Sequence, residues 1–411
     1  MDEFLQNNNN NQKCLTVIFT TRSTKKGNDT LSRLTEHLNS NPHNNKNPST
    51  TNINPKKRIQ LISENVDLSN LISVRKLSQR LLQSLPKLDA IILNAGLGGW
   101  TGIDWVGAIW GICTDLVHQV SWPTYKLAAV GVITPPQINA DSDEPRLGGV
   151  FCANVFGHYM LAHNLVPLLK KTATATGHID DGRIIWISSL EATIKLFDIN
   201  DIQGLRSNTP YESSKALTDI LALTSTLPST APWVNSFYNN NDDKHMKTSM
   251  HVSHPGICGT SIVPLPLPLF YSMLCVMTIA RLLGSPWHTV STYLGAIAPV
   301  WLALSSSADL HNAELPYLLN GGGGRAKWGS SCDDILGKKG EPASTEVDGW
   351  GYGGVVGPAV VEGDKYRRRK RGAVDLSSDE RVRFEELGRL CWQRMEELRI
   401  LWDGILDKAG V

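Results

Sequence analysis

Apolar residues in the first hundred positions fall into short runs separated by longer amphipathic stretches. Leu15-Thr16-Val17-Ile18-Phe19-Thr20 is β-branched and nearly continuous, the mark of a buried strand, and Thr21-Arg22-Ser23 follows it directly. The pattern then predicts a helix over 29–39 and a polar, Asn- and Pro-rich loop over 40–56. Arg58 to Ile62 predicts a second strand, ending near Asn65-Val66-Asp67. A helical apolar spacing covers 71–85, and Leu88 to Leu93 reads as a third strand closed by Asn94-Ala95-Gly96. Strands alternating with helices at this spacing are joined by crossovers into a parallel sheet. Such sheets bind ligands beyond the carboxyl ends of their strands, so the polar residues after each apolar run are the positions to watch.

Residues 97–149 break this rhythm. They hold Trp100, Trp105, Trp110 and Trp122 and end in an acidic loop, Asp141 to Glu144, and they read as an insertion. The tryptophans suit either a substrate or membrane surface or a packing cluster of their own. The rhythm returns with a helix over 149–171 that contains Asn154, and with the strand Gly182 to Ile187, which ends in Ser188-Ser189. A helix opening at Thr209-Pro210 carries Tyr211 and Lys215, one turn apart on one face. A phenol ordinarily ionises near pH 10. An ammonium close by favours the phenolate, which would let Tyr211 exchange a proton near neutral pH.

Residues 231–249 read as a polar loop, and Ser249 to Ser253 as a last strand capped by His254-Pro255-Gly256. The stretch 262–283 is strongly apolar, but Pro264, Pro266 and Pro268 break its first third. The helix left over is shorter than the about 20 residues that cross a bilayer. It suits a helix lying in the membrane interface, a lid over an apolar substrate, or a core helix. Another apolar helix is expected over 289–304, and 320–363 is Gly-rich and irregular. Lys365 to Arg371 is basic and reads as a solvated turn, or as a contact for anionic head groups or nucleic acid. A long amphipathic helix over 377–408 follows, capped by Ser377-Ser378-Asp379-Glu380, with Leu387, Leu390, Met395, Leu398, Leu401 and Trp402 on one side.

Composition adds bounds. The chain has 411 residues, 41% of them hydrophobic, with a net charge of +1, which gives no argument for nucleic acid and is enough for one large α/β domain with appendages. Seven scattered Cys without a C-x-x-C pair indicate neither a disulfide framework nor a metal site, and fit a reducing compartment. Residues 1–13 are acidic, then Asn-rich, and read as a disordered tail rather than a signal peptide.

Taken in order, Asn94-Ala95-Gly96 after a strand, Asn154 in the next helix, Ser188-Ser189 ending a strand, Tyr211-x-x-x-Lys215, and Pro255-Gly256 with Thr260 resemble the short-chain dehydrogenase/reductase family over residues 14–305. The resemblance implies a Rossmann-like doubly wound parallel sheet. Residues 97–149 and 257–283 would be elaborations of that domain, and 306–411 a Gly-rich loop and helical extension. Leu97 to Trp105, Ser121-Trp122-Pro123-Thr124 and the C-terminal extension are similar to the fungal 3-keto-steroid reductases that act in sterol C-4 demethylation. That resemblance implies reduction of a 3-keto sterol at the endoplasmic reticulum membrane or a lipid droplet, alongside the other C-4 demethylation enzymes and their scaffold. Tyr211 would donate the proton, with Ser189 on the same oxygen. Lys215 would lower the Tyr pKa and bind the ribose, and Asn154 would hold a relay water. Asp67 would face the adenine, Asn94 to Gly96 its ribose, and Pro255, Gly256 and Thr260 the nicotinamide. Arg22 stands where a 2′-phosphate needs a cation, which favours NADPH.

The family's first strand and its Thr-Gly-x-x-x-Gly-x-Gly turn have no counterpart before Leu15. That turn seats the pyrophosphate at a helix N-terminus, so a truncated N-terminus and impaired cofactor binding are expected. The competing expectations are a non-catalytic scaffold subunit of the demethylation complex and a reductase of some other apolar ketone.

Overall fold

The computed structural model describes the chain except residues 2–3, 5–13, 41–57, 139–143, 176–181, 240–247, 261, 264, 333–336 and 338. The Asn-rich tail, nearly all of the 40–56 loop, most of the acidic loop and Pro264 lie outside the described residues.

The first strands form as the apolar runs predict: β1 (Leu15–Thr21), α1 (Thr24–Ser40), β2 (Ile59–Asn65), α2 (Leu71–Ser84) and β3 (Ala90–Leu93). Asn70 caps α2 by accepting the Ser73 N–H at 2.8 Å, and Leu71, Val74, Leu77 and Leu81 form its buried stripe. The insertion makes its own small sheet from β4 (Trp100–Ile103) and β5 (Lys126–Ala128), joined by α3 (Trp105–Ser121). Helix α3 is kinked at Asp115, whose φ of −154° is not helical. The chain then enters a long helix through a π-helical turn, Cys152–Phe156, and continues as α4 (Gly157–Ala175). Strand β6 (Gly182–Ile187), helix α5 (Pro210–Thr224), α6 (Ala231–Phe237) and β7 (Thr248–His254) follow. The N-terminal part of the 231–249 stretch is thus helical, not loop: Val234 and Phe237 turn inward and bury.

Beyond β7 lie α7 (Leu267–Leu282), a one-turn helix (Thr292–Gly295), α8 (Ile297–Leu304) and α9 (Ser307–Leu319). The expected irregular stretch 320–363 holds two strands, β8 (Lys327–Cys332) and β9 (Gly340–Thr345), so β7 is not the last strand. The main sheet runs β3-β6-β7-β8-β9, parallel except for the antiparallel β8–β9 pair. β1 and β2 pair in parallel as a separate two-stranded sheet.

The chain closes on α10 (Ser378–Lys408), where Ser377 and Glu380 form a reciprocal capping box. Its buried face is Phe384, Cys391, Trp392, Met395, Trp402 and Leu406, with Glu396 and Arg399 buried among them. Leu401, expected on that face, is 47% exposed. The buried polar pair is satisfied: Glu396 accepts from Tyr159 Oη at 2.7 Å and from Arg399 Nη2 at 2.7 Å, and Arg399 reaches His163 at 3.2 Å. Through these bonds, and through Trp392 Nε1 donating to Leu221 O at 3.1 Å, α10 is fastened to α4 and to the back of α5. Removing a fully buried Trp such as Trp392 costs roughly 3–5 kcal/mol.

Candidate active site

Every residue of α5 is buried, because β6 and β7 cover one side and α10 the other. Pro210 opens the helix at a position whose missing N–H would have been unpaired anyway. Tyr211 and Lys215 therefore project from a fixed rod toward the carboxyl end of β6. The Lys215 ammonium donates to Ile187 O at 2.7 Å and lies 5.8 Å from the centre of the Tyr211 ring.

The two serines after β6 point different ways. Ser188 is buried and donates to Lys215 O at 3.3 Å. Ser189 Oγ accepts the Glu191 N–H at 3.2 Å and is close enough to Tyr211 to oppose the rise of its pKa. Ser189, not Ser188, is thus the serine turned toward Tyr211. Asn154 sits in the π-helical turn, a local widening common at functional sites. Its Oδ1 accepts the Leu97 N–H at 2.8 Å, and its Nδ2 donates to Leu97 O at 2.9 Å and Ser214 Oγ at 3.1 Å. Asn154 thereby pins the start of the insertion to α5.

Gly96 closes this group. A Cβ there would stand 3.0 Å from Asn154 Oδ1 and 3.9 Å from Lys215 Nζ. Bare backbone past β3 thus leaves Lys215 an approach that a side chain would fill, and an ammonium bonded to one carbonyl retains donors for a diol. These residues fit the ribose–nicotinamide end of a dinucleotide. The remaining residues singled out from sequence stand apart. Arg22 is exposed just past β1. Asp67 follows β2, and its carboxylate accepts from Ser69 N at 2.9 Å and Ser69 Oγ at 2.6 Å. Asn94 is exposed, while Ala95 O accepts from His158 Nε2 at 2.7 Å. Pro255, Gly256 and Thr260 follow β7. Gly256 has φ +69°, and a Cβ on it would meet Trp287 O at 2.5 Å, so glycine is required there.

The electrostatics depart from expectation. Tyr211 is held well above the ordinary phenol range, not below it, by burial and then by Glu191, with Ser189 opposing and Glu212 reinforcing. Lys215 is pushed down to about 8, chiefly by burial, while Asp219 raises it and Lys327 lowers it. Sequence reasoning missed these charged neighbours. Lys327 pairs with Asp219 at 2.6 Å and also donates to Ser189 O at 2.7 Å and Ser188 Oγ at 3.3 Å. Asp219 was findable, one turn past Lys215 on the same helix; Lys327 carries no local signal. On the other flank, Lys126 is ion-paired to Glu191 and to Glu212. Trp100 lies against Tyr211, ring centres 4.9 Å apart.

No family model matches the chain. Among curated proteins it is 61% identical to the 3-keto-steroid reductase of Aspergillus fumigatus, over 100% of this chain and 91% of that one. It is 38% identical to the 3-keto-steroid reductase of Gibberella zeae, over 85% of this chain and 78% of the other. Among solved structures, an NADPH-bound carbonyl reductase from chicken fatty liver aligns with 15% identity and a TM-score of 0.38, covering 75% of this chain and 86% of that one.

Proposed function

The chain belongs to the 3-keto-steroid reductases of the short-chain dehydrogenase/reductase family, and on that premise we propose that it reduces the 3-ketone of a 4-methyl sterol to the 3β-alcohol, with NADPH, on the route to ergosterol. The observation that carries this reading is the grouping of Tyr211, Lys215, Asn154 and Gly96 at the carboxyl ends of β3 and β6, with Ser189 beside them.

A nicotinamide, when bound, supplies the hydride. Tyr211 and Ser189 both present hydroxyls to the ketone oxygen, and Tyr211 gives it the proton. The Ser189 oxygen already accepts the Glu191 N–H, so its own hydrogen is free to be donated. Lys215 holds the ribose diol and so fixes where the hydride donor stands. Asn154 keeps Leu97 and Ser214 in place, which sets the wall of the site. Arg22, at the exposed end of β1, would take the 2′-phosphate, and Asp67 with Asn94 to Gly96 would flank the adenosine. Pro255, Gly256 and Thr260 would border the nicotinamide.

The apolar faces support docking at the endoplasmic reticulum or lipid-droplet surface, beside the other C-4 demethylation enzymes. Only Ala280 of α7 is buried, and α7 packs on α3, whose Val106 and Trp110 are 82% and 72% exposed. Arg371, from the basic turn, pairs with Asp115 in α3 at 2.5 Å and so joins that turn to the same helix. Among the described residues no helix is long and apolar enough to cross a membrane.

The test is NADPH consumption with a 3-keto sterol. Tyr211→Phe is expected to lower turnover by roughly 10²–10⁴-fold. Arg22→Ala should weaken NADPH binding by about 10-fold or more while leaving NADH binding unchanged. A chain that consumes no NADPH with any 3-keto sterol, and whose Tyr211→Phe variant complements as well as the parent in cells, would instead be the scaffold. Turnover confined to non-steroidal apolar ketones would make it a reductase of another class.

A further inference from the structure

Lys327 is a buried cation that this chemistry leaves unused. It opens β8, with Val252 of β7 opposite on one side and Thr345 of β9 on the other. Its ammonium donates to Asp219 Oδ2 at 2.6 Å, to Ser189 O at 2.7 Å and to Ser188 Oγ at 3.3 Å. An ammonium has three N–H groups, so all three are spent on the protein itself. Asp219 lies on α5, one turn beyond Lys215, whereas Ser188 and Ser189 follow β6. From a third element, the ammonium thus ties the strand end that carries Ser189 to the helix that carries Tyr211.

The Ser188-Ser189 pair is held at both ends. Ser188 N donates to Ser253 O of β7 at 2.7 Å, and Ser188 Oγ donates to Lys215 O at 3.3 Å. At the other end the Ser189 carbonyl accepts the Lys327 ammonium, and the Ala192 N–H at a longer 3.4 Å. A peptide unit is planar, so gripping its carbonyl fixes how the chain leaves Ser189. That direction places the Glu191 N–H, which Ser189 Oγ accepts at 3.2 Å. The grip is charge-assisted, which makes it about twice as strong as a neutral hydrogen bond. Stability alone does not call for an ion pair here, because an apolar pair of like volume is often as stable as two buried charges. What an apolar pair cannot do is hold the Ser189 carbonyl.

We propose that Lys327 is a positioning residue: by gripping the Ser189 carbonyl, with Asp219 as its counter-ion, it aims the Ser189 hydroxyl at the ketone oxygen. The inference rests on Ser189 sharing that oxygen with Tyr211. Lys327 acts only through Ser189, since its own donors are spent. Its loss therefore falls on the chemical step, where a group misplaced by about 1 Å can cost about 10²-fold, and spares the binding of sterol and cofactor.

The test removes the ammonium without stranding a buried carboxylate. Lys327→Met with Asp219→Leu takes out one charge of each sign, and the two act on Lys215 in opposite directions. Melting curves and NADPH titration establish that this double variant is folded and binds cofactor. With a 3-keto sterol its kcat should fall by about 10²-fold, while both KM values stay within about 2-fold of the parent's. Adding Ser189→Ala should then cost nothing more: the triple variant should turn over like Ser189→Ala alone, because the grip has no hydroxyl left to aim. A role in stability alone would leave the double variant with the parent's kcat. Hydrogen exchange at the Glu191 amide reads the same loop without turnover, and it should quicken by about 10-fold or more in the double variant.

The proposal is overturned if the folded double variant keeps the parent's kcat, if its loss adds in full to that of Ser189→Ala, or if the Glu191 amide exchanges at the parent's rate. A parent inert toward every 3-keto sterol defeats the proposed function instead, and the Glu191 exchange then still decides whether Lys327 holds the loop.

Discussion

Replacing Lys327 with Met keeps most of the buried stem and removes only the ammonium. In the native protein that ammonium and Asp219 are each 3% exposed and 2.6 Å apart. Burial already drives Asp219 upward, and Lys327 is the principal group holding it down, with Lys215 a lesser one. In the variant the carboxyl takes a proton rather than stay charged. A carboxyl whose ordinary value is 3.8 has to be protonated across about three pH units to be neutral at pH 7. At 1.36 kcal/mol per unit this sets a cost of about 4 kcal/mol. That falls within the roughly 3–5 kcal/mol lost when one partner of a buried pair is removed. The sign with pH follows. The variant's folded state keeps a proton that the unfolded chain has released, so the loss is fully expressed above the folded pKa and fades as pH falls toward the unfolded value. Urea unfolding of parent and variant at about pH 7 and about pH 4.5 measures this, with the m-values checked for equality. Lys327→Met with Asp219→Leu should recover most of the loss at pH 7, since no unpaired charge remains. A cost under about 1 kcal/mol at pH 7, or the same cost at both pH values, would falsify this account of the pair.

His158 gives a second test of pH dependence. It is buried, donates to Ala95 O, and burial pushes it down to about 4, so the unfolded chain takes up a proton that the folded protein refuses. Stability from this group is present above the ordinary value of 6.5 and is lost as pH falls toward about 4. His158→Gln should therefore flatten the fall of Tm across that window, and an unchanged slope would refute the assignment. For the apolar face, Val106→Ser with Trp110→Ser should reduce flotation with anionic phospholipid vesicles by about 10-fold or more. Equal flotation would move the lipid contact elsewhere.

Asn94 to Gly96, Ser188-Ser189 and Pro255-Gly256 were legible in sequence because each follows a short apolar run that the chain folds as a strand, and Tyr211 with Lys215 because they stand one turn apart at the start of a helix. Strands β8 and β9 were hidden because Lys-Trp-Gly-Ser-Ser-Cys and Gly-Glu-Pro-Ala-Ser-Thr lack a β-branched core. Their burial comes from neighbouring strands, and tertiary context outweighs intrinsic preference there. The π-helical turn at Asn154 has no compositional signature. On α10, apolar spacing suggested Leu401, but the buried stripe turns elsewhere because the Glu396–Arg399 pair finds partners on α4 and α6. The spacing of Tyr211 and Lys215 predicted their neighbourhood and missed the sign of the phenol's shift. That sign is set first by burial and then by Glu191, and only folding buries α5 and brings Glu191 and Lys126 to it.

The clasp of α10 on α5 also governs when the protein can mature. Trp392 and its acceptor Leu221 are 171 residues apart. At the roughly 5–20 residues per second of synthesis, the back of the Tyr211 helix waits about 10–30 s for its cover. Throughout that interval a nascent chain presents an apolar helix face to chaperones and to other copies of itself. Lesions late in the gene, far from any reacting atom, should then surface as less soluble enzyme, while the molecules that do mature keep normal kinetics.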